Sequence, residues 1–322
     1  MTFHRRRFLA ASAATSLFAP SIARAQKAWP DKQVKIIIPY APGGPTDVTT
    51  RIVLTKAMAS LGQSALFDNR AGASGIIGAE VFKTSPADGS TFFAATVGIL
   101  CITQHLQPVP YDADRDFLPV ARTVTGWTGM AVHPSVPAKT LEEFIAYAKA
   151  NPGKVNYGSP GQGTLFHIVG EMLNLEAGIQ MTHVPYKGSA PALQDLLSGQ
   201  IQVQFDPSTL PAIADGRLRG LAVIGDARWP GKLDLPTLKE QGYGKTGGDS
   251  WYGIVAVKGT SQPIIDTLSR AIDSALKDPE VIEKLAGVQH FGSYLAPDAF
   301  RQKILVERQN FGDVIAKGNI KI

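Results

Sequence analysis

The apolar and polar positions divide the chain into short apolar runs, helical stripes and the glycine turns that join them. Residues 34–38 end in Ile36-Ile37-Ile38, the mark of a strand covered on both faces. After a turn, Val48, Ile52, Leu54, Met58 and Leu61 lie on or beside one helical face, which predicts a helix over 47–61 that Gly62 stops. Ala65 to Asp68 is the next short strand, and Asn69 to Gly75 is a second glycine turn leading into a helix through Ile76, Ile77, Ala79 and Val81. Asp88-Gly89 turns the chain into the β-rich Thr91 to Ala95. Strand, crossover helix and next strand form the parallel βαβ pattern of an α/β fold.

A second set of units begins near Trp127. Met130 to Val132 reads as a strand, and Thr140 with Glu143 makes a capping box for a helix carrying Leu141, Phe144, Ile145 and Ala148. Val155 to Ser159 is again a strand, and Pro160 to Thr164 opens a helix through Leu165, Ile168, Val169, Met172 and Leu173. Thr182 to Val184, a helix over 189–198, the alternating Ile201, Val203 and Phe205, and Leu218 to Ile224 complete this half. Pro230 to Gly248 is dense in Gly, Pro and charge without a period, so it reads as a loop or linker. Ser250 to Val257 returns to strand character, and Pro263 and Pro297 open the last helices, which need a sheet to cover.

Length and charge then bound the reading. Arg5-Arg6-Arg7, a modestly apolar run from Ala10 to Ile22 and the small residues of Ala23-Arg24-Ala25 resemble a twin-arginine export signal cleaved before Gln26. That run is too short and too rich in Ala and Ser to be a permanent anchor. The remaining chain of roughly 300 residues exceeds the usual single-core limit, so two domains are expected. Removing residues 1–25 takes four arginines and no acid, leaving 28 Lys and Arg against 27 Asp and Glu, a net charge of +1 where the full chain has +5. With no basic stripe interleaved with aromatics, nucleic acid drops out as a partner. Cys101 is the only cysteine, which excludes an internal disulfide and a thiolate metal cluster; inside the apolar run 97–102 it reads as a buried, inert thiol.

The candidate chemistry lies in the turn before the first helix. Gly43 and Gly44 present no side chain, no Lys or Arg stands between Pro39 and Asp47, and a helix start leaves backbone N–H groups unpaired. A carboxylate or phosphate fits such a seat, held by backbone dipoles; the bland reading is a tight strand-to-helix connection with no ligand. The turn 160–164 repeats the device in the second half. Ser159, His167 and Asp206 suggest a hydrolase triad as the alternative, but Ser159 lacks the Gly-x-Ser-x-Gly elbow. His167 and Glu171 share a helical face without a third metal ligand at matching spacing, and Gly43-Gly44 lacks dinucleotide-binding spacing. No metal and no cofactor are expected.

Spaced motifs run through nearly all of the chain after the leader. They are Pro42-Gly43-Gly44 with Asp47, Asn69-Arg70 with Gly72 to Gly78 and Glu80, Pro86, Asp88-Gly89, Pro110-Tyr111-Asp112 with Asp116-Phe117, His183 to Gly188, Phe205-Asp206 and Ser250-Trp251. In these the chain resembles the periplasmic solute receptors of tripartite tricarboxylate transporters, the Bug-type receptors. The resemblance implies a non-enzymatic, periplasmic, monomeric protein with a two-lobed Venus flytrap fold and two crossovers between lobes. The lobes would be 26–126 with 250–322, and 127–249, and the partners a small carboxylate and the membrane subunits of a transporter. It further implies ligand contacts at Tyr40, Gly43, Gly44, Thr46, Asp47 and Thr96 in one lobe, and at Ser159, Gly161, Gln162, Gly163, Thr164, His167 and Asp206 in the other. Asp206 reads equally as a ligand or water acceptor and as a structural turn residue, and Asp47 is expected to cap its own helix. The chain departs from the family pattern at Pro45, which lacks an N–H, at Ala71, often Pro, and at Pro207, often Asn, which puts any amide contact from that position in doubt. Leu165 and Phe166 after the second seat suggest an apolar or aromatic acid.

Overall fold

The computed structural model describes residues 29–225, 228–229, 234–244, 248 and 250–321; the stretch expected to be an export signal and parts of the expected 230–248 loop lie outside them. Four strands come first: β1 (Val34–Ile38), β2 (Ala65–Asn69), β3 (Thr91–Thr96) and β4 (Phe117–Gly126). Trp127 alone separates β4 from β5 (Thr128–Val132), which opens a second sheet with β6 (Val155–Ser159), β7 (Met181–Pro185), β8 (Val203–Asp206) and β9 (Arg219–Ile224). The chain then returns to the first sheet with β10 (Ser250–Val257) and β11 (His290–Leu295). The strand orders are β11-β4-β10-β3-β1-β2 and β7-β6-β8-β5-β9.

Both sheets are mixed, where the βαβ pattern predicts parallel pairing. β1 pairs in parallel with β2 and β3, but β10 runs antiparallel between β3 and β4. In the second sheet β6 is parallel to β7 and β8, while β5 is antiparallel to β8 and β9. β5 and β10, the strands by which the chain enters the second sheet and returns to the first, are antiparallel to their neighbours, and β11 pairs antiparallel with β4 at the sheet edge. Thr128 faces Ile224 in one sheet and Ser250 faces Gly126 in the other, so the two crossovers run side by side.

The helices α1 (Pro45–Ser60), α2 (Ile76–Lys83), α3 (Leu141–Ala150), α4 (Leu165–Ala177), α5 (Ser189–Leu197), α6 (Thr209–Ala214), α7 (Gln262–Leu276), α8 (Pro279–Gly287) and α9 (Pro297–Gly318) cover the sheets. On one face of the first sheet Val53, Leu54 and Met58 of α1 and Leu268 and Ile272 of α7 pack with Ile36, Ile38 and Phe92. On the other, Phe82 of α2 stacks on Phe93 at 5.3 Å and Phe300 of α9 meets Trp251 edge-on at 5.2 Å. Cys101 is buried under α9, and burial pushes its thiol far above the ordinary range, so it is inert. Among the described residues no helix is long and apolar enough to cross a membrane.

All eight residues of β10 are buried, as a central strand requires. At Gly253 even a Cβ would run into the Phe300 ring and come within 2.9 Å of the Ala121 carbonyl oxygen. Overpacking of this kind costs about 1 to 3 kcal/mol. Gly253→Val is expected to destabilise the protein by about 2 kcal/mol or more, read as a lower urea midpoint with an unchanged slope; an unaltered midpoint would contradict this packing.

Candidate functional site

Three strand-to-helix turns meet between the sheets. The first follows β1. Gly43 takes φ +85°, and α1 starts at Pro45, whose missing N–H costs nothing at a first helical position. Asp47 turns away from the opening. Its carboxylate accepts from Gly43 N–H at 2.9 Å, Arg51 Nε at 2.8 Å and Asn69 Nδ2 at 3.0 Å, and Asn69 Nδ2 also donates to the Tyr40 carbonyl at 3.0 Å. This network fixes the turn and consumes the Gly43 donor. No side chain caps Gly44, so the N–H groups of Gly44, Thr46 and Asp47 are left as the helix's unpaired donors.

The second turn follows β6 and also spends its own donors. Gly161 N–H goes to Ser159 Oγ at 3.2 Å, Gly163 N–H to His167 Nδ1 at 3.1 Å, and Thr164 N–H to the Gly161 carbonyl at 3.3 Å. Gln162 is exposed to solvent. The open donors move one turn along, to Leu165 and Phe166 at the start of α4, again with no side-chain cap.

The third turn, Tyr186 to Gly188 after β7, reads in the sequence only as a turn before a helix. It brings the start of α5 against α1: a Cβ on Gly44 would lie 3.7 Å from Ser189 N and 3.8 Å from Ala190 N. The clue available was Gly188 ahead of a serine. It acquires meaning only when the lobes are placed together.

Tyr40, Gly44, Thr46, Thr96, Val97, Gly98, Pro160, Thr164, Leu165, Phe166, Ser189 and Ser250 to Tyr252 surround the resulting cleft, with about 450 Å³ of empty space, its mouth included. Among the described residues no ionisable side chain except the two tyrosines lines it. Its hydroxyl-bearing residues are each at most 7 % exposed, so the lobes stand closed. Ala41 N–H donates to the Lys187 carbonyl at 3.0 Å across the gap, and Thr103 Oγ1, which donates to the Gly98 carbonyl at 2.9 Å, lies 3.3 Å from the Gly163 carbonyl of the other lobe. Tyr40 Oη lies 3.4 Å from both Thr96 Oγ1 and the Ser74 carbonyl, and burial pushes it up to about 12.

The polar residues behind the cleft do not assemble the alternative triad. Ser159 Oγ is fully buried, donates to the Gly161 carbonyl at 2.9 Å, and lies 2.7 Å from Nε2 of His183, not of His167. Asp206 accepts from Ser189 Oγ at 2.6 Å and Ser208 N–H at 2.8 Å and touches neither histidine. Glu171 accepts from Tyr157 Oη at 2.6 Å, and no group of three metal ligands occurs among the described residues. His167 stacks on His183 at 4.0 Å; burial pushes His167 down to about 4 and, with His167 beside it, His183 down to about 3. Both are neutral near pH 7.

A histidine depressed in the fold gives stability that is present above its ordinary pKa and is lost as pH falls toward the folded value. For His167 the full loss is roughly 3 kcal/mol, at about 1.4 kcal/mol per pKa unit. Urea unfolding from pH 6.5 down to 4 should show a steeper fall for the native protein than for His167→Asn, whose amide oxygen still accepts from Gly163; parallel curves would contradict the assignment.

With this geometry in hand, relatives place the chain. Residues 49–317 match the tripartite tricarboxylate transporter family receptor profile. BugT of Bordetella pertussis is 33% identical over 91% of both chains. Among solved structures, R. palustris Rpa4515 with adipate is 31% identical with TM-score 0.87, covering 91% of this chain and 99% of its own. MatC of Rhodopseudomonas palustris with bound malate is 28% identical with TM-score 0.85, covering 89% and 100%. The shared fold is the two-lobed one of periplasmic binding proteins, and these relatives are solute-binding receptors, not enzymes. By this match, and by the two mixed sheets closed on a cleft, the chain belongs to the tripartite tricarboxylate transporter receptor family.

Proposed function

We propose that this receptor closes on a small acid with one carboxylate and an uncharged, largely apolar body, and hands it to the membrane subunits of a tripartite transporter. The observation that carries the reading is the convergence of the α1, α4 and α5 starts on one cleft that has no cationic side chain. Adipate and malate in two structural neighbours support the carboxylate class. The donors proposed for the carboxylate are the N–H groups of Gly44, Thr46, Leu165, Phe166, Ser189 and Ala190. Tyr40, Thr96, Thr164, Ser250 and Tyr252 supply hydroxyls around it, and Val97, Pro160, Leu165, Phe166 and Trp251 take the body. Asp47, Gly161, Gly163, Ser159 and His167 then act by holding the turns in shape.

The energetics fit. A hydrogen bond to a charged group contributes roughly 1.5 to 3 kcal/mol, and micromolar affinity requires about 8 kcal/mol. Three or four such bonds plus apolar burial reach that range after the cost of association. A second carboxylate would find no cationic partner in the cleft lining, which favours the monoacid. We further propose export under the leader 1–25, function as a periplasmic monomer, and lobes divided at 126/127 and 249/250.

A thermal-shift screen of benzoate, hexanoate, adipate, malate and citrate tests the reading, because only a ligand of the native state raises the midpoint. Benzoate or hexanoate should raise it most; stabilisation by citrate alone would overturn the monoacid assignment. Gly44→Val should keep the native melting temperature yet lose ligand stabilisation, since Gly44 has φ −78° and an added Cβ would meet Ser189 and Ala190 only at ordinary contact distances of 3.7 Å or more. Gly163, at φ +76°, would be strained by any side chain and is the poorer probe. Undiminished affinity in Gly44→Val would count against the seat.

A further inference from the structure

Behind Ser189, a residue of the cleft lining, lies a carboxylate with no cation to balance it among the described residues. Asp206 is fully buried; Oδ2 accepts the Ser189 hydroxyl at 2.6 Å and Oδ1 accepts Ser208 N–H at 2.8 Å. Among the described residues no Lys, Arg or His pairs with it. The Tyr252 hydroxyl from β10 faces it, with the Tyr40 hydroxyl beside Tyr252, and both are kept neutral by burial. Charged groups on the neighbouring helices are engaged elsewhere: Asp47 and Arg51 on α1 with each other, and Asp195 on α5 with Tyr186 Oη at 2.7 Å. β5 and β8 bring no further ionisable side chain beside it, because Gly129 is its partner across the ladder.

An ionised carboxylate only accepts hydrogen bonds, and a serine hydroxyl has one proton. While Asp206 is charged, that proton is committed to it, and Ser189 shows the cleft nothing but lone pairs, which oppose an anion. A protonated Asp206 reverses the arrangement. Its own O–H donates to Ser189 Oγ, and the serine proton is freed to point into the cleft.

We propose that Asp206 is a positioning residue that takes up one proton from solvent as a carboxylate enters, and thereby converts Ser189 from an acceptor into a donor toward that ligand. Charge balances: the proton neutralises Asp206, the ligand brings one negative charge, and the closed cleft keeps its total. Burial pushes Asp206 up to about 6, so the proton is gained at little cost near neutrality, and a second anion close by raises it further. The inference rests on the carboxylate reading of the cleft, and it adds that the receptor selects an acid together with a proton.

The first test needs no ligand. Carboxyl carbon NMR of the free protein should show one group titrating near pH 6 that is missing in Asp206→Asn; titration of Asp206 in the ordinary carboxylate range would overturn the proposal. Calorimetry of benzoate at pH 7, with adipate substituted where benzoate gives no heat, is then run in buffers of different ionisation enthalpy. The native protein should take up close to one proton per ligand, and Asp206→Asn none. Affinity should rise severalfold from pH 7.5 to 5.5 in the native protein and stay flat in Asp206→Asn, whose amide donates to Ser189 at every pH. Ser189→Ala should keep the titrating carboxyl but lose the tight low-pH binding. Zero proton uptake, or equal pH profiles in the native protein and Asp206→Asn, would contradict the inference. Should Asp206→Asn not fold, the buffer dependence of the native protein decides alone. Failure of every carboxylate to bind would instead remove the ligand reading and leave the titration of Asp206 standing.

Discussion

The structure depends on backbone N–H groups that the helices cannot satisfy internally and that side chains do not cap. Gly44 and Thr164 precede α1 and α4 without a side-chain cap, and Gly188 precedes α5 in the same way. Each end carries a partial positive charge. Gathered in a cleft with no lysine or arginine, they form a weakly hydrated positive region that a carboxylate can neutralise. A cationic side chain would bind anions more strongly but would pay more in desolvation and rotamer entropy when the lobes close. Peptide dipoles are fixed by the fold and need no ordering.

The rest of the chain holds those ends in register. Asp47, Arg51 and Asn69 tie the first turn to β2, and Ser159 with His167 ties the second to the end of β6. Adjacent crossovers at Gly126 to Thr128 and between β9 and β10 leave the lobes joined along one line. In this arrangement the starts of α1, α4 and α5 face one cleft. Interlobe contacts are both backbone and side-chain: Ala41 N–H donates to the Lys187 carbonyl, Trp229 Nε1 donates to Gln289 Oε1 at 2.7 Å, and Gly161 packs so near Ser74 that a Cβ there would lie 2.6 Å from Ser74 Oγ.

Much of this was legible in the sequence. The strand, glycine turn and helix around Pro39 to Asp47 and its repeat at Pro160 to Thr164 read directly, as did the return of Ser250 to Val257. β4 did not read as a strand, because Pro119 and Arg122 interrupt its pattern. In the structure Pro119 sits opposite Val255 where the register shifts, and Arg122 is satisfied by the Ser293 carbonyl at 2.7 Å. The individual donors were also beyond sequence reasoning. Glycines mark a turn that approaches a ligand, but which N–H the turn consumes depends on side chains such as Asp47 and His167. The α5 end becomes part of the site only through tertiary placement.

The most direct measurement is the amide ¹H–¹⁵N spectrum of the protein titrated with its carboxylate. The account predicts large downfield amide proton shifts at Gly44 or Thr46, at Leu165 or Phe166, and at Ser189 or Ala190, all saturating together. Shifts confined to one lobe, or centred on lysine and arginine side chains, would contradict it.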